Sequence, residues 1–178
     1  MLPEADIQNL IIRAQDGDRE AFGQIYDLFA ARLFNFLVGK VKHKEICEDL
    51  VQTVFLKAWT NLGSYKPRSS AKFSTWLYQI ANFTLIDYWR TRKTTVDLDE
   101  VENLSQMATD QKLYEDYGFL WSALSRLSLP YQTVLDLRFR QQLSVSETAA
   151  VMNKSEISIR VLQHRALKAL KAQLNNQS

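Results

Sequence analysis

The sequence predicts an all-α protein: two small helical domains joined by a flexible acidic linker. Three observations carry that expectation. Apolar residues recur at three- and four-residue spacing along most of the 178 residues, the signature of amphipathic helices. Only five Gly and three Pro are present, too few for a fold rich in tight turns. The helical pattern lapses at length only between Thr94 and about Lys112, and the charge changes sign there. Residues 1–93 carry 13 Lys/Arg against 10 Asp/Glu, residues 94–113 one against five, and residues 114–178 eight against five. Two mildly basic blocks flank an acidic spacer, which places domains over 1–93 and 114–178 and a linker over 94–113.

The elements follow in order. A short helix is expected from about Ile7 to Gln15, broken at Asp16-Gly17, with Asp18 as the N-cap of the next. From Asp18 to Val41, one stripe holds Phe22, Ile25, Tyr26, Phe29, Leu33, Phe36 and Leu37. A third helix, about Lys44 to Leu62, gathers Ile46, Leu50, Val51, Val54, Phe55, Ala58 and Trp59 on one broad face. A polar, basic loop follows, then a helix from about Ser74 to Arg92. In the second block a helix from near Leu113 is broken at Leu129-Pro130, and Pro130 opens another that runs to about Gln141. Ser144 and Glu147 have capping-box spacing, Asn153 suits a left-handed helix end, and Ser155 caps the last helix, about Glu156 to Leu174.

Composition excludes several classes. The single cysteine, Cys47, allows no internal disulfide, and with only His43 and His164 beside it no Cys/His metal site is expected. No apolar run approaches the roughly 20 residues that span a bilayer, and the acidic N-terminus is no secretory signal. A cytoplasmic protein without membrane insertion is expected. There is no glycine-rich phosphate loop and no nucleophile–base pair, so neither a catalytic residue nor a cofactor is expected.

Two segments point to nucleic acid. Leu143 to Leu170 has the outline of a helix-turn-helix, with Ala149 at the crossing and Ile159 facing inward. The second helix offers Ser155, Glu156, Ser158, Arg160, Gln163, His164 and Arg165 to DNA, where Arg suits guanine, Gln suits adenine, and Ser suits bases or phosphate. A plain helical hairpin with a solvated polar face has the same outline. From Tyr65 to Lys93, aromatic and basic residues interleave as in single-stranded DNA binders, where rings stack on bases and cations track phosphates. Phe73, Trp76, Phe83 and Arg90 belong to this cluster, although rings at helical spacing also suit a core. The loop residues Tyr65, Lys66, Arg68, Ser69, Ser70 and Lys72 are the better candidates, because a loop exposes them.

Three motifs carry a family resemblance. Glu48-Asp49-Leu50-Val51-Gln52-Thr53-Val54-Phe55-Leu56-Lys57-Ala58-Trp59 resembles region 2 of the extracytoplasmic-function (ECF) sigma factors, of sigma-70 type. Phe73-Ser74-Thr75-Trp76-Leu77-Tyr78-Gln79-Ile80-Ala81, with Ile86-Asp87-Tyr88-Trp89-Arg90, resembles the family's −10 melting and reading segment. Ala123-Leu124 through Leu129-Pro130, then Leu143-Ser144 to Ala149, and Arg160 with His164-Arg165-Ala166, resemble region 4, the −35 reader. The resemblance covers nearly the whole chain in the family's order. It implies a non-enzymatic initiation factor that binds core RNA polymerase at its clamp coiled coil and flap, and reads promoter DNA. It also implies an anti-sigma partner. Glu48, Asp49, Gln52, Phe55 and Trp59 would form the core-binding side, and Asn82 and Phe83 would join the −10 readers. Phe83 stands where many members have Asn, Val161-Leu162 replaces a common polar pair, and Asn153 replaces a turn Gly. Two other readings remain: a stand-alone helix-turn-helix regulator that binds DNA without polymerase, and a degenerate sigma-like interaction module.

Overall fold

The structure is a computed structural model, described here for residues 3–41, 43–67, 72–93 and 119–175. The linker expected over 94–113 lies outside the described residues, as do Arg68, Ser69 and Ser70. The described residues are mostly helical, with no strand among them.

The first block comprises α1 (Glu4–Gln15), α2 (Arg19–Val38), α3 (Lys44–Asn61), a short 3-10 turn (Leu62–Ser64) and α4 (Phe73–Lys93). The break between α1 and α2 is made by Gly17 at φ +95°, a left-handed conformation that costs glycine little. Asp18 then caps α2, accepting from the Ala21 amide at 3.0 Å, while Arg13 pairs with it at 2.6 Å. The helix ends at Val38, three residues short of expectation. Gly39 closes it, and the Lys40 amide turns back to the Leu37 carbonyl at 2.8 Å. Ile11, Ile25, Leu33, Phe36, Leu37, Leu77 and Leu85 fill the interior between these helices.

The second block holds α5 (residues 119–125), α6 (Leu129–Leu135), a π-helical segment (Asp136–Arg140), α7 (Val145–Met152) and α8 (Glu156–Asn175). A continuous α-helix to Gln141 was expected; instead the α-helix stops at Leu135. The Gln141 amide reaches back five residues to the Asp136 carbonyl at 2.9 Å. The wider turn accompanies two long-range demands, because Leu137 is fully buried while Asp136 engages Lys40 of the first block. Such demands leave no local trace in a helical pattern. The capping box forms as expected: Ser144 Oγ accepts from the Glu147 amide at 3.1 Å, and Glu147 accepts from the Ser144 amide at 2.8 Å. Asn153 ends α7 at φ 51°.

The two blocks share one interior. Leu137, Leu143 and Val151 of the second block belong to the hydrophobic cluster of the first, while Val134, Leu135, Ile159 and Ala166 form a smaller core beneath α8. Helix α7 lies along α4. Lys40 and Asp136 form a buried ion pair across this junction, with side chains 4% and 8% exposed. Lys40 also donates to the Phe36 carbonyl, and Asp136 accepts from Gln141 at 3.1 Å. Burial pushes the Lys40 ammonium below its usual range, and the Asp136 carboxylate pulls against that shift.

Candidate functional site

Helix α3 presents a polar strip. Glu48, Asp49 and Gln52 are exposed, whereas Phe55 is buried and Trp59 half-buried. Both rings pack on α2: Phe22 meets Trp59 at 4.8 Å and Phe55 at 6.3 Å between centroids, and Tyr26 lies 4.5 Å from Phe55. The sequence reading missed Leu56. It is 67% exposed beside the polar strip, and its signal was a leucine that falls off the apolar stripe.

The loop before α4 differs from expectation at Tyr65. A loop was expected to expose that ring, but only 8% of it is exposed. Tyr65, Phe73 and Trp76 pack edge-on or tilted against one another, with centroids 5.1 to 5.4 Å apart, so these rings pin the loop down. Gln15 reinforces the pin by donating to the Leu62 and Tyr65 carbonyls at 2.9 and 2.8 Å. Phe73 is buried and Trp76 half-buried, whereas Lys66 and Lys72 remain exposed. Farther along α4, Phe83 and Ile86 are exposed, and Arg90 is exposed beside Asp87 at 3.0 Å.

Asn82 has a different place. It is 4% exposed and donates to the Val151 carbonyl on α7 at 3.2 Å. Two neighbours on α4 also reach the second block: Thr75 donates to Glu147 at 3.3 Å and Tyr78 to Gln141 at 2.5 Å. Burial pushes the Tyr78 hydroxyl up to about 12, so it stays a donor at any ordinary pH. This face of α4 is therefore covered by α7 and the turn before it.

Helix α8 meets the geometry of a recognition helix. Ile159 and Ala166 are fully buried, while Ser155, Glu156, Ser158, Arg160, His164 and Arg165 are exposed. Ser155 caps the helix, accepting from the Ser158 amide at 3.2 Å. Arg160 pairs with Glu156 at 3.3 Å. Gln163 is half-buried, and its Oε1 accepts from Arg138 Nε at 3.0 Å. Ile157 is 73% exposed in the first turn, an apolar tip suited to a thymine methyl that the sequence reading passed over.

Residues 25–95 match the Sigma-70 region 2 family and residues 123–172 match the Sigma-70, region 4 family. An ECF RNA polymerase sigma factor of Bacillus subtilis, SigX, is 33% identical over 162 residues, covering 85% of this chain and 82% of that protein. The chain belongs to the ECF sigma factors of RNA polymerase. A Streptomyces coelicolor ECF sigma factor, BldN, is also 33% identical over 174 residues, which cover 93% of this chain but only 65% of BldN. The fold agrees with that of the Bartonella quintana sigma factor RpoE solved with the anti-sigma factor NepR: TM-score 0.72, 23% identity, covering 86% of this chain and 96% of that one. ECF sigma factors are non-enzymatic. They bind core RNA polymerase and direct it to promoters, so a stand-alone regulator is not the favoured reading. Among the described residues no helix is long and apolar enough to cross a membrane.

Proposed function

We propose that this ECF sigma factor divides its work between residues 1–93, which grip polymerase and read the −10 element, and residues 114–178, which read the −35 element. In this reading residues 94–113 link the two. The observation that carries it is α8: a capped helix whose inner face is fully buried and whose first turns expose a mixed polar set. Glu48, Asp49 and Gln52 supply carboxylates and an amide to the polymerase clamp, with Leu56 as an apolar anchor. Lys66, Lys72, Phe83 and Arg90 serve the −10 strand directly, and the buried Tyr65, Phe73 and Trp76 brace the loop that carries them. Asn82 joins the −10 readers once α7 leaves α4.

The site of action is the cytoplasm, where polymerase and promoter meet. An anti-sigma factor is the expected regulator, and the resemblance to a sigma factor solved with such a partner motivates it. Run-off transcription with core enzyme and a randomised promoter library tests the residue assignments. Glu48→Ala/Gln52→Ala is expected to weaken core binding without altering promoter preference, and Arg160→Ala the reverse. Loss of both functions in either variant would refute the division of labour.

A further inference from the structure

Arg138 lies in the π-helical segment, outside the helix that faces DNA. Its guanidinium is held at two points. One terminal nitrogen donates to the Leu143 carbonyl, and Nε donates to Gln163 Oε1 at 3.0 Å. Both bonds run from a group that can only donate. The orientation of the Gln163 amide is therefore dictated by chemistry: oxygen toward Arg138, NH₂ away from it. Arg138, Val145, Arg160, Gln163, His164 and Leu167 together line a notch of about 300 Å³ on the flank of α8.

An unpinned glutamine in such a notch can turn its amide over. It then offers a donor or an acceptor to the same base edge, and it discriminates poorly between edges that differ in those groups. A pinned one offers a single pattern. We infer that Arg138 is a positioning residue for −35 recognition, fixing which edge of the Gln163 amide faces the bases. The inference rests on the proposed −35 role of α8 and deepens it: base preference at one position belongs to a pair of residues, one of them on a different element. The π-helical turn matters here, because Arg138 reaches both partners from that segment.

The competing role for an arginine at a DNA surface is phosphate contact, and the two roles predict different readouts. A lost phosphate contact weakens all sequences about equally and lowers the salt slope by about 1. A lost positioning contact relaxes one base position. The experiment measures holoenzyme binding to a promoter library randomised across the −35 element, for wild type, Arg138→Lys, Arg138→Met, Gln163→Ala, Arg138→Met/Gln163→Ala and Arg160→Ala. Lysine keeps the charge and a donor for Leu143, yet it cannot bridge both partners as the fork does.

Gln163→Ala is expected to relax one position by about tenfold, within the range for a base contact. Arg138→Lys and Arg138→Met are expected to relax that same position, and the double variant to add nothing further there. Core affinity should stay at the wild-type value. Uniform weakening by both Arg138 variants with preference intact overturns the inference, while Gln163→Ala still reports on the −35 reading. If neither Gln163→Ala nor Arg160→Ala alters any −35 preference, the −35 reading of α8 fails and the inference falls with it. Should Arg138→Met not fold, shown by its melting curve, Arg138→Lys decides by the same two outcomes.

Discussion

Cys47 shows how far a single residue's chemistry depends on its surroundings. Its thiol is fully buried, donates to the Phe34 carbonyl at 3.5 Å, and is pushed up to about 12 by burial and then by the Glu48 charge. The native thiol is expected to resist alkylation at pH 8 and to react readily in urea. Mass spectrometry of timed samples measures this, and equal rates in both conditions would contradict it. Phe55 and Trp59 were legible in the sequence as part of an apolar helix face, but the rings they would meet were not. Their packing depends on Phe22 and Tyr26 of α2, roughly 30 residues or more away. Tyr65 misled for a related reason. A loop exposes its residues on average, but this ring is claimed by Phe73 and Trp76.

At the scale of the element, caps and breaks were readable because their chemistry is local. The capping contacts of Asp18, Ser144, Glu147 and Asn153 each span about four residues or fewer. Ser144→Ala is expected to destabilise the second block by about 1 kcal/mol, read from thermal melting. Glu147 adds a pH signature. Burial works against its carboxylate, but hydrogen bonds from the Ser144 amide and hydroxyl and from Thr75, with Lys72 nearby, outweigh it and hold the group below its ordinary 4.5. A carboxylate held low in the folded state stabilises it above the unfolded value, and that contribution is lost as pH falls through the folded value. Glu147→Gln should therefore be less stable than wild type at neutral pH, and the gap should narrow as pH falls below the ordinary value of 4.5. A gap constant across that range would refute the assignment. The π-helical segment was not legible, because Asp136 and Leu137 answer to partners in the other block.

The whole molecule holds what the sequence concealed most. The lapse after Thr94 suggested a boundary, yet nothing in either block announced that the two would pack together. Lys40 carried no signal of its own in the sequence. Removing one partner of a buried ion pair costs about 3–5 kcal/mol, whereas replacing both by apolar residues is often neutral. Lys40→Met alone is accordingly expected to separate the blocks, seen as a larger radius of gyration by small-angle scattering. Lys40→Met/Asp136→Leu should return the compact value. An equally expanded double variant would mean that the pair does not govern docking.

The hydrogen bond from Asn82 to the Val151 carbonyl carries a thermodynamic consequence. With the proposed −10 role of Asn82, one face of α4 has two claimants, α7 and the −10 strand, and they exclude each other. The apparent affinity of the free factor for DNA is then its open-state affinity multiplied by the fraction of molecules that are open. Every about 1.4 kcal/mol of docking lowers that affinity tenfold. A substitution at the junction would thus register in a DNA-binding assay as a gain or loss of affinity, although the residue it alters never touches a base.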